Sequence, residues 1–173
     1  TYTPNIADPS CFATFDLTTI SNGFGAFASA TAITANSTNT VYNTTGSGAD
    51  EINPGGPNLN NSNLGSFDPN SGQLKIFGGE IKTFKNIGNV CSANMYYRVY
   101  KVGDAPGAFT QVNLTTISEC VDTDTNGTPD TFDDGLGPCS PNDQKWKDYT
   151  FNIDLTQRCV GNYQLEVYYD YTG

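Results

Sequence analysis

The sequence predicts an all-β fold, an antiparallel β-sandwich formed by one domain over residues 1–173. Several segments alternate apolar with polar residues at a period of two, which is typical of strands half-buried on a sheet. The 18 Gly and 9 Pro residues occur often enough to join short strands by turns. No stretch carries apolar residues at helical spacing, not even residues 26–35. A chain of this length can bury one core without dividing into two domains.

Strand alternation is clearest in four segments: residues 11–17, 95–102, 149–155 and 163–169. In the third, the residues predicted to face inward are Tyr149, Phe151, Ile153 and Leu155. A short turn around Gly161 separates the last two segments. This spacing predicts a C-terminal hairpin, or two neighbouring strands across a sandwich edge.

Two further segments are defined by glycine and by polar composition. Residues 73–77 and 80–84 flank Gly78-Gly79, which predicts a hairpin with a two-residue turn. Residues 36–63 are rich in Asn, Ser, Thr and Gly, and are predicted to form a long surface excursion. Such an excursion is either a binding surface or a loosely ordered loop, and the ordinary loop is the favoured interpretation.

The charge and hydropathy of the chain exclude two classes of partner. The formal net charge is -10, and no Lys or Arg precedes Lys75. The first 74 residues therefore carry no positive side chain that could bind the phosphate backbone of a nucleic acid. Nucleic acid is therefore not an expected partner. No apolar run reaches the roughly 20 residues of a membrane-spanning helix, so membrane insertion is not expected either. Any export segment is expected to have been removed already.

The five cysteines are widely spaced, and the chain contains no histidine to complete a zinc site. They are Cys11, Cys91, Cys120, Cys139 and Cys159. Disulfides are the better interpretation, and they imply an oxidising compartment, so the protein is expected to be secreted or on a cell surface. The odd count leaves one cysteine that is unpaired, pairs with another chain, or has lost its partner by truncation.

One specific motif lies between residues 120 and 139. Oxygen-bearing residues occur at positions one, three, five, seven, nine and twelve around a glycine at position six, the ligand spacing of an EF-hand loop. The predicted Ca²⁺ ligands are Asp122, Asp124, Asn126, the carbonyl of Thr128, Asp130 and Asp133. The alternative is an acidic, solvated turn that binds nothing.

The predicted calcium loop differs from an EF-hand loop at two positions. Position twelve is Asp133, which reaches less far than Glu, and Pro129 lacks the N–H that paired EF-hand loops use. Over residues 122–134 the sequence resembles the thrombospondin type 3 repeat, a resemblance that implies calcium wrapped by a loop without flanking helices. Because side chains fill most coordination positions, the calcium is expected to be structural.

Cys120 and Cys139 bracket the calcium motif almost symmetrically. A disulfide between them would enclose residues 121–138 and constrain the unfolded chain by about 3 kcal/mol. This pair is therefore the first predicted disulfide.

Enzymatic activity is not expected. Without histidine the chain cannot build a Ser-His-Asp or Cys-His nucleophile system. A glycosidase that needs only two carboxylates remains an alternative, although calcium ligation accounts for many of the acidic residues between Glu119 and Asp148.

Aromatic residues supply the candidate ligand-binding positions. Trp146 is the only tryptophan, and it is either a platform for a sugar ring or, as the favoured interpretation, a residue packed on the sandwich. Tyr96, Tyr100 and Tyr168 lie opposite the core positions of their strands, where they serve either cross-strand packing or binding.

Residues 146–155 followed by 161–169 are similar to the closing strands of jelly-roll carbohydrate-binding modules and of accessory β-sandwiches in bacterial surface proteins. This resemblance implies a jelly-roll-like sandwich. Two hypotheses follow: a structural or adhesive surface module that contacts neighbouring surface-protein modules, or a carbohydrate-binding module that contacts an extracellular glycan.

Overall fold

The computed structural model describes residues 24–46, 51–68, 70, 73–85, 90–117 and 143–173. In these residues all regular secondary structure is β-strand, which confirms the all-β prediction. The strands are β1 (Phe24–Ala35), β2 (Thr38–Thr45), β3 (Leu74–Lys85), β4 (Ser92–Lys101), β5 (Thr110–Ile117), β6 (Asp143–Asp148), β7 (Ile153–Asp154) and β8 (Tyr163–Thr172). The predicted strand at residues 11–17 lies outside the described residues.

The strands form one antiparallel sheet that curls into a half-barrel. Their order is β2-β1-β3-β6-β5-β4-β8, with β7 paired to β3. The sheet turns at β5, which changes partner along its length. Its first part pairs with β4, from Thr110 to Leu114, and its last part pairs with β6, from Thr115 to Ile117. The strands on either side of β5 therefore face each other across a shared interior.

The core fills that interior with side chains from both halves of the sheet. Removing these apolar side chains from water is the main favourable contribution to the fold. The cluster consists of Ile33, Ile76, Ile81, Val90, Ala93, Met95, Leu114, Trp146 and Leu155.

A tight hairpin joins β1 to β2. Asn36 and Ser37 have φ angles of 48° and 70°, and Ala35 pairs with Thr38. Two consecutive positive φ angles are typical of the type I′ turn that matches the twist of a hairpin. Strand β2 therefore lies inside the predicted excursion 36–63, which is not one continuous loop.

The predicted hairpin at Gly78-Gly79 is wrong, because β3 continues through both glycines. The reason is close packing. A Cβ atom on Gly78 would lie 2.8 Å from the Asp148 carbonyl oxygen, and one on Gly79 would lie 2.9 Å from Met95 Sδ. Both glycines allow a neighbour to approach the strand, which is the other common role of glycine in a sheet.

The predicted C-terminal hairpin is also wrong, and of the predicted strand 149–155 only Ile153–Asp154 is strand. Ile153 of β7 pairs with Ile76, whereas β8 pairs along its length with β4. The predicted alternation is nevertheless present, since Leu155 is buried while Asn152 and Asp154 are exposed. Alternation reports which face a residue occupies, but it carries no information about the partner strand.

Candidate functional site

Trp146 lies in the core and is not a surface platform. Its side chain is only 6% exposed. The indole Nε1 donates a hydrogen bond to Thr83 Oγ1 at 3.1 Å, which satisfies the one polar group of the ring. The packed interpretation of Trp146 therefore matches the fold, and its ring offers no exposed face to a sugar.

The three candidate tyrosines lie together on the outer side of β4 and β8. Tyr96 is the register partner of Tyr168, and their rings stack with centroids 4.7 Å apart and planes 2° apart. Tyr168 is 43% exposed. Phe109, in the loop before β5, packs edge-on against Tyr168 at 4.8 Å. Tyr100 lies on the same side of β4, four residues after Tyr96.

An ion pair lies beside these rings. Arg98 Nε donates to Glu166 Oε2 at 2.7 Å, and the Tyr100 hydroxyl donates to Glu166 Oε1 at 2.5 Å. The Arg98 guanidinium also lies 4.1 Å from the Phe109 ring centroid, a cation–π distance. We name this surface the tyrosine face, and it consists of Tyr96, Arg98, Tyr100, Phe109, Glu166 and Tyr168.

The hydrogen bonds of the tyrosine face shift the pKa values of Glu166 and Tyr100. The Tyr100 hydroxyl and then Arg98 lower the pKa of Glu166, because both stabilise the carboxylate. The same hydrogen bond to Glu166 raises the pKa of Tyr100. Arg98 Nη1 also donates to the Gly107 carbonyl at 3.1 Å, which holds the loop that carries Phe109. These bonds hold the side chains of the tyrosine face against one another and against the loop that carries Phe109.

Sequence reasoning found the tyrosines of this face and missed their neighbours. Arg98 and Glu166 could have been included, because each is two residues from a candidate tyrosine and so occupies the same side of its strand. Phe109 comes from a loop, and no local pattern indicates its position.

A buried charge cluster lies on β3 and β6. Glu80 Oε1 is 3.3 Å from Lys145 Nζ, and Glu80 Oε2 is 3.6 Å from Lys147 Nζ. The Tyr149 hydroxyl donates to Glu80 Oε2 at 3.1 Å. Lys82, the register partner of Lys145, is also fully buried. Two lysines and a tyrosine therefore surround the buried Glu80 carboxylate and offset part of the cost of burying its charge.

A cleft of about 920 Å³ opens between residues 59–67 and the beginning of β8. Its volume is in the range of small-molecule pockets. Apolar side chains on its walls include Leu59, Leu64, Leu74, Val99, Leu165 and Val167. Val99, Leu165 and Val167 also pack against the core, so the cleft is the open end of the half-barrel interior.

The predicted calcium ligands Asp122, Asp124, Asn126, Thr128, Asp130 and Asp133 lie outside the described residues, as do Cys120 and Cys139. In the described ranges no three Cys, Asp or Glu side chains group together as metal ligands. Cys91 is disulfide-bonded, whereas Cys159 is an exposed free thiol. The predicted Cys120–Cys139 pair stays a prediction.

Comparison with known proteins finds no matching family model, no matching curated protein and no matching solved structure. The part of the chain that the structure describes contains no helix long and apolar enough to cross a membrane.

Proposed function

We propose that this chain is a non-catalytic, extracellular adhesive module that contacts its ligand through the tyrosine face. The observation that carries the proposal is the exposed Tyr168 ring, stacked on Tyr96 beside the Arg98–Glu166 ion pair. Aromatic rings and arginine supply much of the binding energy at protein surfaces. Because neighbours already hold these side chains, binding costs little conformational entropy.

A glycan is the second candidate ligand, and the same surface favours it. Sugar C–H groups pack on an aromatic face, while hydroxyl groups need planar donors and acceptors at its border. Tyr168 offers the ring, and Arg98 and Glu166 offer the polar groups. In this version the chain is a carbohydrate-binding module of a secreted protein.

The proposal also includes an extracellular location and stabilisation of the module by disulfides and calcium. The disulfide at Cys91 favours an oxidising compartment. A calcium ion held by the acidic motif at residues 122–133 would stabilise the module without contacting the ligand. The jelly-roll arrangement implied by the sequence resemblance is likewise part of the proposal.

Two of the described glutamates, Glu80 and Glu166, support a binding role through their contacts. Lys145 and Lys147 enclose Glu80, while Arg98 and Tyr100 engage Glu166. A retaining or inverting glycosidase needs two carboxylates facing one bond at a separation of about 5–9.5 Å. Glu80 is instead buried on β3, whereas Glu166 lies on the outer side of β8, so this pair does not face one bond.

A glycan array with the purified chain tests the ligand class, and two alanine variants test the site. Tyr168→Ala is expected to lose binding while the fold stays intact. Phe84→Ala is the matched control, because Phe84 is an aromatic residue on β3 with 41% exposure. Glycan binding that survives Tyr168→Ala would reject the tyrosine face as the site. Absence of binding to every glycan would reject the carbohydrate ligand and leave protein-surface adhesion to be tested with the same two variants.

A further inference from the structure

The cleft between residues 59–67 and the beginning of β8 gathers apolar side chains that are not fully buried. Leu64, Val99, Leu165 and Val167 line it, and each also packs against the buried core. All four remain only half-buried. Because apolar surface in contact with water is unfavourable, an apolar ligand that covers these side chains gains free energy.

The volume and position of the cleft limit the size of such a ligand. A volume of about 920 Å³ lies in the range of sites that hold one small molecule. The cleft is the open end of the half-barrel interior, and small β-barrels hold a single ligand in an equivalent position. A ligand with one aliphatic chain fits these limits.

Two cationic side chains lie at the end of the cleft that residues 158–163 form. Arg158 is a lining residue, and its guanidinium carbon lies 5.8 Å from the centre of the Tyr163 ring. Lys101 is the register partner of Tyr163, and a Cβ atom on Gly161 would lie 3.5 Å from Lys101 Nζ. Both Lys101 and Arg158 are exposed. In a chain with a net charge of -10, two cations beside an apolar surface favour an anionic head group there.

We propose that this cleft binds a fatty acid, which combines one aliphatic chain with one carboxylate. The chain lies along the apolar wall, and the carboxylate meets Arg158 and Lys101. Arginine suits this role because its planar fork can bind both oxygens of a carboxylate. Glu166 also borders the cleft, but its carboxylate already accepts hydrogen bonds from Arg98 and Tyr100. The site does not depend on the proposed adhesive role, so the two proposals fail separately.

Calorimetric titration of the full chain with sodium decanoate and sodium dodecanoate, below their micelle-forming concentrations, tests the ligand class. Each CH₂ group that enters the cleft adds about fourfold in affinity, so dodecanoate should bind about tenfold more tightly than decanoate. Dodecyltrimethylammonium has the same chain with a cationic head and should bind more weakly than dodecanoate. Absence of dodecanoate binding would overturn the proposal. Equal affinity for the two head groups would overturn the role of the cations.

The free thiol of Cys159 shows whether the ligand occupies this cleft. Cys159 lines the cleft and is exposed, so dodecanoate is expected to slow its alkylation. An alkylation rate that dodecanoate does not change would place the ligand elsewhere and overturn the proposal.

Three variants test which residues contribute to binding. Arg158→Gln should weaken dodecanoate binding about fivefold, because it removes an exposed charge that pairs with the carboxylate. Lys75→Gln is the matched control, since it removes a charge from β3 outside the lining of the cleft. Equal affinities of these two variants would overturn the role of Arg158. Tyr168→Ala should bind dodecanoate as the wild type does, and a loss of affinity would place the ligand on the tyrosine face instead.

Discussion

The Tyr169 hydroxyl on β8 donates a hydrogen bond to the Ala30 carbonyl on β1, across the inside of the curled sheet. The same oxygen lies 2.9 Å from Thr31 Oγ1. Burial raises the pKa of the Tyr169 hydroxyl above its ordinary value. A Cβ atom on Gly79 would lie 2.8 Å from the hydroxyl, so a glycine there leaves room for it. Tyr169 therefore connects the two halves of the half-barrel.

Tyr169→Phe is expected to lower the free energy of unfolding by about 1–2 kcal/mol, because it leaves the buried Ala30 carbonyl without this donor. Urea unfolding followed by circular dichroism measures the change. Tyr168→Phe removes a hydroxyl from an exposed ring and should have little effect on stability. Equal stability of the two variants would contradict the role of Tyr169.

Trp146→Ala is expected to lower the free energy of unfolding by about 3–5 kcal/mol, because it opens a cavity in the core. Trp146→Phe should cost less, since it keeps most of the apolar volume but leaves Thr83 without the indole donor. Chemical denaturation of the three proteins provides the comparison. An alanine variant as stable as the wild type would show that Trp146 is not a core residue.

Acidification is expected to weaken the tyrosine face through Glu166. Its pKa is lowered from the usual 4.5 in the folded state, so the stabilising contribution is present above that value. The contribution is lost as pH falls through the lower, folded-state pKa. Melting temperatures measured between about pH 2 and 6 should therefore fall less steeply for Glu166→Gln than for the wild type. Parallel pH profiles for the two proteins would show that Glu166 makes no linked contribution.

Calcium is expected to raise the melting temperature, because a ligand that binds only the folded state stabilises it by mass action. At a free calcium concentration 100 times the Kd the gain is about 2.7 kcal/mol. A chelator should remove this gain, and Asp124→Ala should weaken it. Asp104→Ala is the control, since Asp104 is exposed in a loop outside the motif. Melting curves that do not respond to chelator, together with metal-free purified protein, would reject the calcium site.

Peptide mapping under non-reducing conditions is expected to recover Cys120 linked to Cys139. With Cys91 disulfide-bonded and Cys159 a free thiol, this pairing leaves Cys11 as the partner of Cys91. Cys159 should be the one cysteine alkylated before reduction. A peptide that links Cys91 to either Cys120 or Cys139 would exclude the predicted pair.

The sequence by itself determined where several strands lie and which side of each strand faces the interior. Period-two alternation is a local property, because successive side chains point to opposite sides of a strand. It therefore predicted β4 and β8, the buried position of Leu155, and the shared outer side of Tyr96 and Tyr168.

Only the tertiary structure decided the partners of those strands and the composition of the site. Pairing and close approach join residues far apart in the chain, as when β7 meets β3 or when Gly79 makes room for Tyr169. The same holds for Phe109, which a loop brings onto Tyr168. These contacts depend on the curl of the whole sheet at β5, and no local period encodes that curl.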